Sequence, residues 1–231
     1  MKKLVLFDID GTLLEAGHPV FRARHRHSIK KIFGIETIID WSEHSGSTDK
    51  KILIDILRKK GVEEREIRLN LERALDEQHY YVIKHLKEDF KERILDGAEE
   101  LIKTLLKKKE ICLGLLTGNY EKVGWFKLEM IGLKKYFDFG LFGDQAEDRN
   151  ALARTIFKRA EKHFKRKFKS EEVFVIGDTP RDIECAKVSG VKAIGVATGR
   201  WSMTELKKAG ADFVFKNLKD KKKILKIIFG E

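Results

Sequence analysis

The sequence predicts an α/β protein built on a doubly wound parallel sheet, with an all-helical segment inserted behind the first strand. Short apolar runs such as 4–7 and 173–176 are typical of strands buried on both faces. Amphipathic helical patterns separate these runs, which favours right-handed crossovers and a parallel sheet. No convincing strand lies between residues 15 and 90. We therefore expect a core of residues 1–14 and 91–231 and a helical domain of residues 15–90.

The first strand ends in a pair of carboxylates. The apolar run from Leu4 leads into Asp8 and Asp10, and extended geometry turns both side chains towards the same side. Gly11 then allows the chain to turn sharply. Two adjacent like charges at the end of a buried strand are unfavourable unless a cation or a proton relieves them. Fold stability gives no reason for this arrangement, whereas a metal-assisted reaction does.

Three helices are predicted in the inserted segment. Pro19 opens the first helix, where its missing N–H costs nothing, and Gly34 ends it. The residues Ser47, Thr48 and Asp49 could cap the second helix, which ends at Gly61. The third and longest helix places apolar residues on one face together with a glutamine: Ile67, Leu71, Leu75, Gln78, Val82 and Leu86.

Helices and strands alternate in the rest of the chain. Strands are expected at 111–116, 139–142, 173–176, 191–196 and 213–215. Helices are expected after Gly97, after residue 119 with Val123, Phe126 and Met130 on its apolar face, from Asp148 through Ala160, and in the lysine-rich C-terminal segment.

Composition narrows the function classes. The chain has 231 residues, of which 42% are hydrophobic and 37% are charged, a composition that can form a core and is not typical of disorder. The apolar runs are too short to span a bilayer, and the N-terminus lacks the pattern of a secretion signal. Cys112 and Cys185 are isolated and have no metal-ligand spacing. We therefore expect a cytoplasmic protein with no membrane partner.

The net charge of +11 has two interpretations. Lysine runs such as 107–109 and 221–223 could bind nucleic acid by neutralising phosphates. Alternatively, they belong to the solvated surface of a thermophile-like protein, rich in Lys, Arg, Glu and Ile. The basic residues are spread over helical patterns without interleaved aromatic residues, so nucleic acid is not favoured. A basic surface also attracts small phosphorylated anions.

Chemically reactive side chains follow several predicted strands. Ligands bind open α/β sheets beyond the carboxyl ends of their strands. In this chain those ends carry acidic, hydroxyl, amide and guanidinium groups and one glycine, which should converge at one edge of the sheet: Asp8, Asp10, Thr117, Gly118, Asn119, Arg149, Asp178 and Asp182.

The motif Asp-Ile-Asp-Gly-Thr at 8–12 resembles the first motif of the haloacid dehalogenase-like (HAD) hydrolases. Thr117 stands where the second motif of that family has its Ser or Thr. The segment 177–182 is similar to the fourth motif in its GDxxxD form. Most members have a lysine in the third motif, and Arg149 is the candidate here. The resemblance implies a Rossmann-like catalytic core and a cap domain of the small helical type.

The resemblance also implies a magnesium-dependent phosphatase. Asp8 would be the nucleophile that forms an aspartyl-phosphate, and Asp10 would act as general acid and then as general base. Mg²⁺ would be bound by Asp8, by the backbone carbonyl of Asp10 and by Asp178. The second aspartate is associated in the family with phosphoryl transfer, whereas dehalogenases lack it. Dehalogenation is therefore a poor alternative.

Further residues receive binding or orienting roles from the same resemblance. Thr117, Gly118 and Asn119 would hold phosphoryl oxygens, and Arg149 would neutralise charge on them. Asp182 could orient Arg149 or a metal-bound water. Three residues outside the core are candidates for contact with the substrate, one in the linker and two in the turn 45–49: His18, Gly46 and Thr48.

The implied substrate is a small phosphorylated metabolite, as in the phosphoglycolate-phosphatase-like branch. A β-phosphoglucomutase-type phosphomutase shares the same motifs. A phosphonate hydrolase would need an imine-forming lysine in the cap, for which Lys50 or Lys51 could be proposed. A basic nucleic-acid-binding module on the same scaffold is an alternative from another class. Either a monomer or a homodimer is compatible with the sequence.

Overall fold

A computed structural model of the protein describes residues 2–87 and 90–230. Six strands lie in these residues: β1 (Lys3–Phe7), β2 (Ile111–Leu116), β3 (Gly140–Leu141), β4 (Val173–Gly177), β5 (Lys192–Val196) and β6 (Phe213–Phe215). They form one sheet in the order β3-β2-β1-β4-β5-β6, and each described pair of neighbours is parallel. The predicted α/β class with a doubly wound parallel sheet is confirmed.

β1 is central because the four residues that follow Lys3 in it are apolar. It pairs with β2 on one side and β4 on the other, and Leu4 to Phe7 are fully buried. β3 is shorter than the run 139–142 predicted. The N–H of Phe142 donates to the side chain of Gln145 at 3.1 Å and so leaves the strand pairing early.

Three helices pack together beside the sheet: α1 (Pro19–Phe33), α2 (Asp49–Lys59) and α3 (Glu64–His85). Pro19 opens α1, and Gly34 ends it in the left-handed conformation, with φ of 70°. The hydroxyl of Thr48 caps α2 by accepting from the N–H of Lys51 at 3.1 Å. No strand lies between residue 15 and residue 87, as expected. The exact bounds of the helical domain stay a prediction.

Seven further helices alternate with the strands in the described residues: α4 (Ala98–Leu106), α5 (Glu121–Met130), α6 (Arg149–Ala153), α7 (Ile156–Phe164), α8 (Pro180–Val188), α9 (Met203–Ala209) and α10 (Lys221–Phe229). The prediction of a single helix from Asp148 through Ala160 was wrong, because the helical pattern is interrupted at Thr155. The Thr155 hydroxyl and N–H both bond to the carbonyl of Leu152, three residues back, which replaces the α-helical pattern there. None of the helices that the structure describes has the length and apolar character needed to cross a membrane.

The inward face of α5 differs from the predicted one. Phe126 and Met130 are only half-buried, whereas the buried positions are Val123, Gly124, Lys127 and Leu128. A side chain at position 124 would meet the ring of Phe142, so glycine allows the close approach of α5 to the chain after β3. Lys127 therefore lies among residues that face the interior.

Arg24 and Asp49 form a buried ion pair where the inserted helices meet the core. The guanidinium group holds both carboxylate oxygens at 2.7 and 2.9 Å and also donates to Gln78 at 2.7 Å. Asp49 in turn accepts from the N–H of Tyr120, beyond β2, at 2.7 Å. Burial raises the pKa of Asp49, but Arg24 and His25 outweigh it and hold that pKa far below its usual value. One carboxylate thus joins α1, α2, α3 and the core.

We expect Arg24→Met to destabilise the protein by about 3–5 kcal/mol, because it leaves the Asp49 carboxylate buried without its charge partner. The measurement is urea unfolding followed by circular dichroism. Arg68→Met is the matched control, since Arg68 pairs with Glu64 at 3.0 Å on the solvent-exposed surface of α3, and such exposed pairs contribute little to stability. Equal effects of the two substitutions would contradict the role given to Asp49.

Candidate active site

The ends of three strands bring the predicted residues to one cavity of about 310 Å³. Asp8 follows β1, Thr117 follows β2 and Asp178 follows β4, and all three side chains are buried. The parallel sheet places these ends at the same edge. Five other predicted residues line the same cavity: Asp10, Gly46, Gly118, Asn119 and Arg149. The expected convergence is therefore present in the structure.

Asp8 lies against the Arg149 guanidinium. Arg149 Nη2 is 3.1 Å from Asp8 Oδ1 and also pairs with Asp182. Burial raises the pKa of Asp8 to about 7, while Arg149 lowers it and Asp182 raises it further. The positive charge of Arg149 therefore offsets only part of the increase in the Asp8 pKa that burial and the neighbouring carboxylates cause.

Asp8, Asp178 and Asp182 each offer a carboxylate oxygen, and these oxygens lie within 4.8 Å of one another. Asp182 is already satisfied, because one oxygen pairs with Arg149 and the other accepts from Thr179 N at 2.9 Å and Thr179 Oγ1 at 2.6 Å. Burial, Asp182 and Asp8 raise the pKa of Asp178 well above its usual value. Buried oxygen donors that repel one another fit Mg²⁺, which prefers such ligands.

Two glycines leave room for the Asp178 carboxylate. A Cβ atom at Gly11 would lie 2.3 Å from Asp178 Oδ2, and one at Gly199 would lie 1.8 Å from it. The Thr12 hydroxyl approaches Asp178 Oδ1 at 3.4 Å, and Thr198 Oγ1 donates to the carbonyl of Gly11 at 2.5 Å. Any larger residue at either glycine would displace the carboxylate.

Asp10 has partners different from those of Asp8. Lys127 Nζ lies 2.7 and 2.6 Å from its two carboxylate oxygens, and Asn119 Nδ2 donates to it at 2.8 Å. Asn119 Nδ2 also lies 2.8 Å from Thr117 Oγ1. The carboxylates of Asp8 and Asp10 thus have different cationic partners, Arg149 and Lys127, in one cavity.

The turn 45–49 covers the cavity from the side of the inserted helices. Arg149 Nη1 donates to the carbonyl of Gly46 at 3.2 Å, and Gly118 accepts from the N–H of Asp49 at 2.8 Å. A Cβ atom at Gly118 would lie 2.3 Å from the carbonyl oxygen of Ser47, so glycine is needed for this contact. The turn therefore rests directly on the loop after β2.

A family model of haloacid dehalogenase-like hydrolases matches residues 5–196 of the chain. This segment contains the strands that carry Asp8, Thr117 and Asp178 as well as the inserted helices. The chain belongs to the haloacid dehalogenase-like hydrolases. The resemblance of its motifs to this family is thereby confirmed, and the protein is an enzyme of the hydrolase class.

Known proteins align with this HAD hydrolase over most of its length. It is 27% identical, over 98% of its length, to a protein of Caldanaerobacter subterraneus subsp. tengcongensis provisionally named pyrophosphatase PpaX, of which 94% is covered. It is 24% identical, over 86% of its length, to a phosphoglycolate phosphatase of Pseudomonas fluorescens, of which 71% is covered. A β-phosphoglucomutase of Clostridium difficile has a TM-score of 0.72 at 21% identity, covering 100% of this chain and 98% of that one, which shows the shared fold.

Asp182 lies behind Arg149 and does not line the cavity. Four predicted or proposed residues in the inserted segment of the HAD hydrolase do not line it either. His18 Nδ1 accepts from the N–H at position 20 at 3.3 Å, which caps α1, and the His18 ring packs against Phe90. Thr48 is buried as the cap of α2. Lys50 and Lys51 line a different depression on the outer side of α2. An imine-forming role for either lysine has no support from this placement.

Several cavity residues were not predicted from the sequence. His25 lies beside Asp49 at 3.1 Å, and burial together with Arg24 lowers its pKa to about 4, so the ring is neutral at pH 7. Arg22 of α1 and Arg200 beyond β5 line the cavity and are exposed. The remaining unpredicted residues include an aromatic ring and three further charged groups: Trp41, Arg24, Asp49 and Lys127. Of these residues, only Lys127 could have been expected from the sequence to face inwards, because it is four residues from both Val123 and Ile131.

We expect Asp8→Asn to stabilise the metal-free protein at pH 7 by at least about 1 kcal/mol, since burial raises the folded-state pKa of this carboxylate to about 7, above the ordinary value for an aspartate. A raised carboxyl pKa destabilises the fold increasingly as pH rises from about 4 to about 7. The gain should therefore shrink as pH falls towards 4. Urea unfolding in EDTA across this range measures it. A gain that does not depend on pH would contradict the electrostatic explanation.

Proposed function

We propose that this HAD hydrolase is a magnesium-dependent phosphatase that hydrolyses a small phosphate monoester through an aspartyl-phosphate. The main support for this proposal is that Asp8 and Asp178 lie side by side, with Arg149 and Thr117 in the same small cavity. In this proposal the Asp8 carboxylate attacks phosphorus, and Asp10 protonates the leaving oxygen and later activates water. Mg²⁺ held by Asp8, Asp178 and the Asp10 carbonyl would offset the repulsion between carboxylate and phosphate dianion.

Other residues of the chain would bind the phosphoryl group. The Thr117 hydroxyl and the backbone N–H of Gly118 would donate to its oxygens, and Arg149 would neutralise the charge that develops on them. Asp182 accepts from Arg149 and so fixes the guanidinium beside Asp8. These roles use groups that the fold already holds in place, which reduces the reorganisation needed during the reaction.

The cavity favours a compact substrate. Its volume of about 310 Å³ is at the small end of ligand sites. Arg22 and Arg200 come from different elements and line it as exposed cations. They would suit a second anionic group on the substrate, such as a carboxylate or a further phosphate. Relatives named for phosphoglycolate and for pyrophosphate, which both carry such a group, agree with this preference.

Asp8→Asn should abolish the magnesium-dependent release of phosphate from p-nitrophenyl phosphate, because the amide cannot act as nucleophile. Release by the unsubstituted protein should stop in EDTA and return with Mg²⁺. Asp96→Asn is the control, since Asp96 lies on the surface and pairs with Lys219. Undiminished turnover by the Asp8 variant would refute the nucleophile assignment.

Arg200→Ala should raise KM for 2-phosphoglycolate by roughly 2- to 5-fold, because an exposed ion pair contributes about 1 kcal/mol or less. The KM for 2-hydroxyethyl phosphate should stay unchanged, since this ester has the same chain length without the carboxylate. Steady-state phosphate release measures both constants. Equal changes for the two esters would contradict an anion-binding role for Arg200.

The phosphomutase alternative is tested by incubation with β-glucose 1-phosphate. A phosphatase releases inorganic phosphate, whereas a phosphomutase forms glucose 6-phosphate. The nucleic-acid alternative is tested with the same protein sample, because it requires DNA binding that weakens steeply with salt and an absence of phosphatase activity.

A further inference from the structure

Lys127 is a buried lysine inside the proposed catalytic cavity. Its side chain is 3% exposed and it lies on the inward face of α5. Lysine is almost never fully buried unless it is paired, because removing the ammonium group from water is costly. An apolar residue at this position would pack without that cost. The presence of a charge here therefore calls for an explanation other than stability.

The ammonium group of Lys127 has a complete set of partners. It lies 2.7 Å from Asp10 Oδ1, 2.6 Å from Asp10 Oδ2 and 2.8 Å from Asn119 Oδ1. The ring of Phe21, from α1, lies 4.3 Å from the same nitrogen. An ammonium group has three N–H donors and no acceptor, so these contacts fix its position and direct it at Asp10.

Asp10 remains accessible despite these contacts. Its side chain is 30% exposed and lines the cavity. An ionised carboxylate has about four acceptor positions. Lys127 and Asn119 occupy three of them in this structure. One acceptor position of the Asp10 carboxylate is therefore left for a group in the cavity. A residue that exchanges a single proton with a substrate needs one such position.

We propose that Lys127 is a positioning residue that holds the Asp10 carboxylate at the cavity wall, where it meets the leaving oxygen of the substrate. The inference rests on the proposed phosphatase function. Lys127 itself does not touch the substrate in this proposal. Without its ammonium group Asp10 would rotate among several orientations, and proton transfer to the leaving oxygen would lose its alignment.

The role can be recognised from its dependence on the leaving group. Phenoxide is a strong base and needs a proton as it departs, whereas p-nitrophenoxide is a much weaker base and can depart without one. The two aryl phosphates have nearly the same shape. Misplacement of Asp10 should therefore impair the hydrolysis of phenyl phosphate far more than that of p-nitrophenyl phosphate.

The experiment compares kcat/KM for these two substrates, a ratio that reports the steps up to the first phosphoryl transfer. We expect Lys127→Met to lower kcat/KM at least 100-fold for phenyl phosphate, which is the lower end of general acid–base contributions, and less than about 10-fold for p-nitrophenyl phosphate. Lys127→Arg should restore part of the loss. In an Asp10→Asn background, Lys127→Met should not further change kcat/KM for phenyl phosphate relative to kcat/KM for p-nitrophenyl phosphate.

Lys122→Met is the matched control, since Lys122 is on the same helix but pairs with Asp76 at the surface at 2.7 Å. It should leave both constants unchanged. Circular dichroism verifies folding, and Lys127→Gln, which stays polar but lacks the ammonium group, replaces the Met variant with the same expected result if that variant does not fold. Equal losses for both substrates, or no loss, would overturn the inference. Failure of the proposed function would instead appear as absence of turnover by the unsubstituted protein.

Discussion

Mutual repulsion among buried carboxylates is the constraint on which the site depends. Asp8, Asp178 and Asp182 bring their oxygens within 4.8 Å of one another where little water can reach them. Arg149 lowers the pKa values of Asp8 and Asp178, but burial and the neighbouring carboxylates outweigh it and leave both raised. Such an arrangement lowers the stability of the fold, and it is a cluster of charge that a divalent cation would relieve. Glycine at positions 11 and 199 is needed for the same reason, because the carboxylate of Asp178 occupies their side-chain space.

A second charge cluster joins the inserted helices to the sheet. Arg24, Asp49 and Gln78 connect α1, α2 and α3, and Asp49 reaches the backbone beyond β2. Lys127 lies between this cluster and Asp10, and Phe21 of α1 packs over its ammonium group. The contacts that seat the inserted helices are thus adjacent to the contacts that orient the proposed general acid. The position of the inserted helices over the cavity and the alignment of Asp10 would therefore depend on neighbouring side chains.

The motifs at strand ends could be predicted because their meaning is local. Asp8 and Asp10 follow a buried strand, and Thr117 and Asp178 follow the strands that pair with it on either side. Parallel pairing alone then brings them to one edge of the sheet. Arg149 was proposed from the family resemblance, as the candidate for the third motif in a loop expected at the same edge of the sheet. The helix break at Thr155 and the early end of β3 were missed, since both depend on single side-chain hydrogen bonds to the backbone.

The sequence by itself determined the fold class and the membership in the HAD hydrolases, because apolar periodicity and strand-end motifs act over a few residues. Only the tertiary structure decided which polar residues of the inserted helices face the cavity. His18 became a helix cap, whereas Arg24, His25 and Asp49 were placed at the interface. Lys127 is four residues from Val123 and Ile131. A lysine near an apolar helix face ordinarily keeps its ammonium group in water. The partners of Lys127, Asp10 and Asn119, are 117 and 8 residues away, so only folding could show that its charge is satisfied inside the protein.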